Sequence, residues 1–109
     1  MTCPKYGMIT PLQGSVLNLA GAVCGVPDDL VSESDRLSSM QKALEKLRKR
    51  TGQDFGYDIV RWHQFLLASE EFNQEYTFDF SWNVVSESVE RFITDEDRLK
   101  RVEKILNQS

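Results

Sequence analysis

The sequence predicts an all-α protein: one domain over residues 1–109, folded as a single compact bundle of about five helices. Two observations carry that expectation. Apolar residues recur at helical steps of three and four in several separate stretches, and alternation with a period of two appears in only one. Helix-start and helix-stop residues stand between those stretches, leaving short joints. A chain of 109 residues has room for one domain and can bury enough surface to fold alone.

The first helix is signalled by Thr10-Pro11-Leu12-Gln13. The threonine hydroxyl can accept from the backbone N–H three residues on, Gln13 can reach back, and proline at the first helical position loses no hydrogen bond. Leu12, Val16, Leu19 and Val23 then recur at steps of four, three and four, and Gly25 and Pro27 are placed to end the run. A second helix over about 35–50 carries Leu37, Met40, Leu44 and Leu47 on one face and Lys42, Lys46 and Lys49 on the other. Lys49 and Arg50 offset the negative end of its dipole, and Gly52 suits a left-handed stop.

Asp58 is an N-cap for a third helix through about Ala68, with Trp62, Phe65 and Leu66 on one face. Beyond it, Tyr76, Phe78, Phe80 and Trp82 alternate with Thr77, Asp79 and Ser81. No other segment alternates so cleanly, so a strand here would lack a partner. Residues 76–80 therefore read as an extended connector that pins aromatics into the core. Ser81 is placed to cap a fourth helix with Val85, Val89, Phe92 and Ile93 on one face. Thr94, with Asp97 at the capping-box position, is placed to cap a fifth bearing Leu99, Val102, Ile105 and Leu106.

The unit from Met40 to Leu67 resembles bacterial HEAT-type helical repeat proteins. Leu44 and Leu47 on a helix, then Thr51, Gly52, Asp54, Phe55, Gly56, Tyr57 and Asp58, then Trp62 carry the resemblance, which spans about 28 of 109 residues. It implies a HEAT-like antiparallel helix pair at 35–68 and a binding rather than catalytic role. One such unit is visible, whereas a solenoid needs several for a continuous core. Without the family, the loop reads as a well-anchored turn, with a ligand-binding loop as the sharper alternative.

Catalytic and metal chemistry find little support. The one histidine, His63, follows Trp62 on an apolar helix and reads as a boundary residue. With Cys3 and Cys24 it cannot supply a zinc site of recognisable spacing, and no cation lies beside Cys24 to activate a thiolate. Two cysteines do not make a disulfide framework; Cys24 reads as a small buried hydrophobe. The glycines are not spaced to cradle phosphate, and the serines lack a nucleophile elbow. The expectation is a non-enzyme with no cofactor. The apolar run from Met8 to Val26 lacks a positive leader and is interrupted by Asn18, so a soluble, cytoplasmic chain without a membrane span is expected.

Charge patterning is the remaining clue. Hydrophobic residues make up 40% and charged residues 28%, which argues against wholesale disorder, and the net charge of −4 disfavours nucleic acid. From Ser69 to Asp97 nine acids face one base, whereas Arg36 to Arg50 holds six bases and one acid. Solvated faces that partly neutralise one another explain most such patterns. The alternative is an acidic patch with embedded aromatics, as in a protein–protein hot spot. The function expected is a non-catalytic protein-binding domain, in sharper form an immunity- or antitoxin-type inhibitor covering a basic toxin domain. Its expected contacts are Glu71, Glu75, Tyr76, Asp79 and Trp82. A regulatory protein that lays residues 42–50 on a nucleic acid, and a scaffold subunit of a larger assembly, are the competing expectations. A homodimer through the aromatic segment would use the same residues.

Overall fold

Two very short strands precede the helices in the computed structural model, which describes residues 2–3, 7–22 and 30–107. β1 (Thr2–Cys3) pairs antiparallel with β2 (Gly7–Met8), Thr2 opposite Met8 and Cys3 opposite Gly7. Two residues a side cannot hold themselves together, and β2 lies against a later helix. The rest is helical, so the all-α class stands. The six helices among the described residues are α1 (Pro11–Leu19), α2 (Glu33–Thr51), α3 (Ile59–Ala68), α4 (Asn73–Tyr76), α5 (Asp79–Ile93) and α6 (Glu96–Asn107).

The predicted capping box opens α1. Thr10 Oγ1 accepts the Gln13 N–H at 3.1 Å and Gln13 Oε1 accepts the Thr10 N–H at 3.0 Å. The helix ends earlier than its apolar spacing suggests. Ala20 caps it, Gly21 takes a φ of +107° that side chains avoid, and two bonds close the end. Gly21 N–H donates to Asn18 C=O and Ala22 N–H to Leu17 C=O, each at 3.0 Å, the pairing of a Schellman stop. Val23, Cys24, Gly25 and Pro27 lie outside the described residues.

α1 is the centre of the bundle. Leu12, Gln13, Gly14, Val16, Leu17 and Leu19 are all buried, and the helix packs along α2 and touches α3, α4 and α5. A helix buried on nearly every side leaves few positions for charge, which is why this segment is the most apolar in the chain. α2 presents Leu37, Met40, Leu44 and Leu47 inward, as its spacing requires. Its start was less legible: Ser32 caps it, accepting from the Asp35 N–H at 3.1 Å, and Glu33 begins the helix. Gly52 ends it at φ +71°. Asp58 caps α3 through Oδ1 and the Arg61 N–H, with Trp62 and Leu66 buried beneath.

The aromatic segment differs from expectation. Residues 76–80 are not an extended connector: Tyr76 closes α4, Asp79 opens α5, and the break between them spans two residues, Thr77 and Phe78. Tyr76 and Trp82 reach a common cluster from two helices, which places aromatics six positions apart against one another without a strand. Ser81 is not a cap. It sits buried in the first turns of α5 and donates from Oγ to Gln13 Oε1 at 2.7 Å. Thr94 is the C-terminal cap of α5, and the start of α6 falls to Asp95, whose Oδ1 accepts the Asp97 N–H at 3.0 Å. The inner face of α6 is also rotated from its predicted stripe. Arg98 and Ile105 are buried, while Leu99 and Leu106 are 56% and 58% exposed.

Candidate functional site

The five residues expected to bind a partner separate in the fold. Glu71 and Asp79 are exposed and Trp82 is half-buried. Tyr76 is 0% exposed, so it cannot meet a partner at the surface. Glu75 is structural rather than free. Its Oε2 accepts the Leu12 N–H and Arg50 Nη1, each at 2.9 Å, and Oε1 accepts Arg50 Nη2. Its carbonyl accepts Thr10 Oγ1 at 3.1 Å. A carboxylate in this place satisfies an orphan donor at the positive end of α1 and ties α4 to the C-terminal turn of α2. Two of the five thus belong to the interior network, for a reason no linear spacing reveals.

Three exposed acids, Asp79, Glu87 and Glu90, lie on α5. Among its described side chains the exposed ones are Asp79, Asn83, Val84, Glu87, Glu90 and Arg91. Val84 is a large apolar side chain left open, and Phe78 is open at the helix start.

Behind this face, His63 of α3 lies half-buried among aromatics. Its Nδ1 is 2.6 Å from the Tyr76 hydroxyl and its ring stacks on Trp82, centroids 6.1 Å apart at 13°. Burial pushes the imidazole below its ordinary value, against the pull of Glu90, and pushes the Tyr76 phenol well above its own. A neutral imidazole accepting from a neutral phenol explains the pairing. Among the described residues no group of three or more His, Cys, Asp and Glu gathers at one point.

The second feature is a cleft of about 560 Å³ between the loop after α2, the start of α3 and one side of α6. The loop from Thr51 to Asp58 forms one wall, built as a turn. Thr51 Oγ1 donates to Leu47 C=O, Gly56 N–H donates to Asp54 Oδ1 at 3.0 Å, and Trp62 Nε1 donates to Gly56 C=O at 2.8 Å. Phe55 packs edge-on to Trp62, centroids 4.8 Å apart, and carries Arg61 over its ring. Arg48 Nε pairs with Asp54 at 2.9 Å, and that contact, with the Gly56 N–H, holds the Asp54 carboxyl below the usual range.

Val60, Leu99 and Leu106, all exposed, stand at the lip of this cleft. Arg98 lies within it, 3% exposed. Its Nη2 donates to Tyr57 C=O at 2.6 Å and to Leu19 C=O at 3.3 Å, so it ties the loop and the end of α1 to α6. Its Nε is buried with no acceptor among the described residues. Burial works against its charge, while Asp58 and Asp95 favour it from beyond ion-pair distance. Sequence reasoning missed this arginine. The signal was present: Arg98, Val102 and Ile105 follow at steps of four and three, a helical face beginning on a charge.

Comparison with protein-family models, with curated proteins and with solved structures finds no match to this chain. Among the described residues no helix is long and apolar enough to cross a membrane.

Proposed function

We propose that the chain is a non-catalytic protein-binding domain that engages a basic partner through the exposed side of α5, in the manner of an immunity- or antitoxin-type inhibitor. One observation carries this reading: the exposed side of α5 holds Asp79, Glu87 and Glu90 against one base, Arg91, with the apolar Val84 open at its edge, one turn from Glu87. Such a surface offers an apolar contact beside a field that steers a cationic partner and disfavours an anionic one. Of the residues first expected to make contact, Glu71 and Asp79 remain suited to this role, with Trp82 at the margin. Glu75 and Tyr76 are replaced by Val84, Glu87 and Glu90. The HEAT-like resemblance over residues 40–67 supports the same class, since it implies binding rather than chemistry.

The competing phosphate-binding reading draws on the exposed lysines Lys42, Lys46 and Lys49 of α2. It loses the arginines beside them. Arg48 is paired with Asp54 and Arg50 with Glu75, which leaves three point charges of the five bases in residues 42–50.

The test is affinity capture with wild-type protein and a Val84→Lys/Glu87→Lys variant, both verified as folded by circular dichroism. Val84 and Glu87 are solvent-facing, so the fold should tolerate the change. A basic protein retained by the wild type, lost by the variant and released by salt supports the reading. Equal recovery by both overturns it.

A further inference from the structure

We propose that the cleft between the 55–58 loop and α6 binds a small amphiphilic monocarboxylate, with its apolar body along Ile59, Ile93 and Val102 and its carboxylate on Arg98. The site is distinct from the acidic side of α5, and the proposal stands or falls independently of the protein-binding reading.

Shape is the first argument. A concavity of about 560 Å³ has the size of small-molecule sites, which run from roughly 300 to 1,000 Å³ and are mostly apolar with a few convergent polar groups. Leu44, Phe55, Ile59, Ile93 and Val102 line this one. Val60, Leu99 and Leu106 at its lip are three of the six large hydrophobic side chains exposed among the described residues. Water against that surface gains little by staying, so an apolar body that displaces it binds favourably.

The second argument is chemical and independent of shape. A guanidinium carries five N–H donors and no acceptor. The hydrogen bonds of Arg98 both leave from Nη2 and end on neutral carbonyls, and its Nε is buried without an acceptor. No ion pair of Arg98 is found among the described residues. Buried charges are ordinarily paired, because their desolvation is otherwise uncompensated. A carboxylate entering the cleft would meet the part of Arg98 that lines it, not the enclosed Nε, and would supply the anionic partner that this arginine lacks.

The neighbouring charges select among anions. Asp58 lines the same cleft, with Oδ1 engaged by the Arg61 N–H, and Asp95 also acts on Arg98. Arg48 lines it too, already neutralised by Asp54. One cation near two acids sets the attraction of Arg98 against their repulsion, so an anion of lowest charge, a monocarboxylate, is the one the site can accept. A phosphate monoester would bring a second charge with no cation to receive it.

Octanoate, 1-octanol and acetate are the probes, titrated into the full chain by isothermal calorimetry, with backbone amide shifts from NMR to place the site. Octanoate should bind saturably with a stoichiometry of one and move amides of residues 56–60 and 98–106. Octanol should bind at least tenfold more weakly, and acetate should give no measurable heat. Arg98→Gln should erase the preference for octanoate over octanol. Val102→Trp, which keeps Arg98 and fills the cleft, should abolish octanoate binding while circular dichroism stays unchanged, and it decides the matter if Arg98→Gln does not fold. Equal affinity for octanoate and octanol, no saturable binding, or full binding by Val102→Trp would overturn the proposal.

Discussion

Two places in this molecule bury strongly polar side chains, and they treat them differently. At the junction of α1, α4 and α5, Gln13 is fully buried and both of its side-chain polar atoms have partners. Its Oε1 accepts from the Thr10 N–H and from Ser81 Oγ, and its Nε2 donates to Tyr76 C=O at 2.9 Å. At the junction of α1, the 55–58 loop and α6, Arg98 is as deeply placed but keeps a buried donor unpaired. A closed polar network specifies a fold, whereas a half-satisfied one is costly unless something else completes it. The difference separates a structural joint from a site with room for a ligand.

The largest effect belongs to the closed network. Gln13→Leu keeps the volume of the side chain but strands the Thr10 N–H, the Ser81 hydroxyl and the Tyr76 carbonyl. Each stranded buried group costs about 1–3 kcal/mol, so a loss on the order of 3–4 kcal/mol is expected in urea unfolding. A loss below about 1 kcal/mol would mean that the network is replaceable and would dissolve the contrast with Arg98.

Arg98→Met should cost less, about 1–2 kcal/mol by the same measurement. The substitution frees two carbonyls, but it also removes a buried charge that lacks a counterion, and apolar replacement of such groups is often close to neutral. A loss larger than that of Gln13→Leu would make Arg98 the tighter of the two joints. The open donor would then be a detail of a structural clamp.

The pair of Arg50 and Glu75 comes next. Its side chains are partly exposed, so solvent screens the attraction, and a double-mutant cycle with Arg50→Ala and Glu75→Ala should give a coupling of about 0.5–1 kcal/mol. The single substitutions should be unequal. Glu75→Ala also strands the Leu12 N–H at the start of α1, and Arg50→Ala leaves that bond intact. Equal losses would place Glu75 outside the closed network.

How much of this was legible follows the same division. Boundaries written by a single residue were readable: Thr10 with Gln13, Gly52, and Asp58 act where the sequence puts them. So was the stripe of α2 from Leu37 to Leu47, which faces α1 and, through Leu37 and Met40, Ile105 of α6. Features decided by a partner far along the chain were not. Ser81 resembles a cap until Gln13, 68 residues earlier, is seen to claim its hydroxyl. Glu75 resembles a free surface acid until the start of α1 and Arg50 converge on it. The alternating aromatics at 76–82 suggest extension because α4 is a single short turn, too brief to show its own period. Arg98 was hidden by a convention, that an apolar stripe is the inner face. Here Leu99 and Leu106 are turned outward and the charge inward.

The smallest effect lies between the two regions, at His63. It is half-buried, and burial holds its pKa below the ordinary value of about 6.5. Because the folded pKa is the lower one, the unfolded chain binds the proton more readily, and stability rises with pH through this window. The contribution is complete above about 6.5, declines as pH falls through the depressed folded value, and changes no further below it. Protonation at Nδ1 also removes the acceptor facing the Tyr76 hydroxyl, 2.6 Å away, while Glu90 partly offsets the cost of the new charge. Urea midpoints measured from pH 7.5 down to 5 should therefore fall for the wild type and fall less for His63→Gln, which keeps a polar group beside Tyr76. Glu90→Gln should steepen the decline, because the carboxylate that favours the imidazolium is gone. A wild-type slope matched by His63→Gln would assign the pH dependence to carboxylates elsewhere and leave the His63–Tyr76 contact as packing alone.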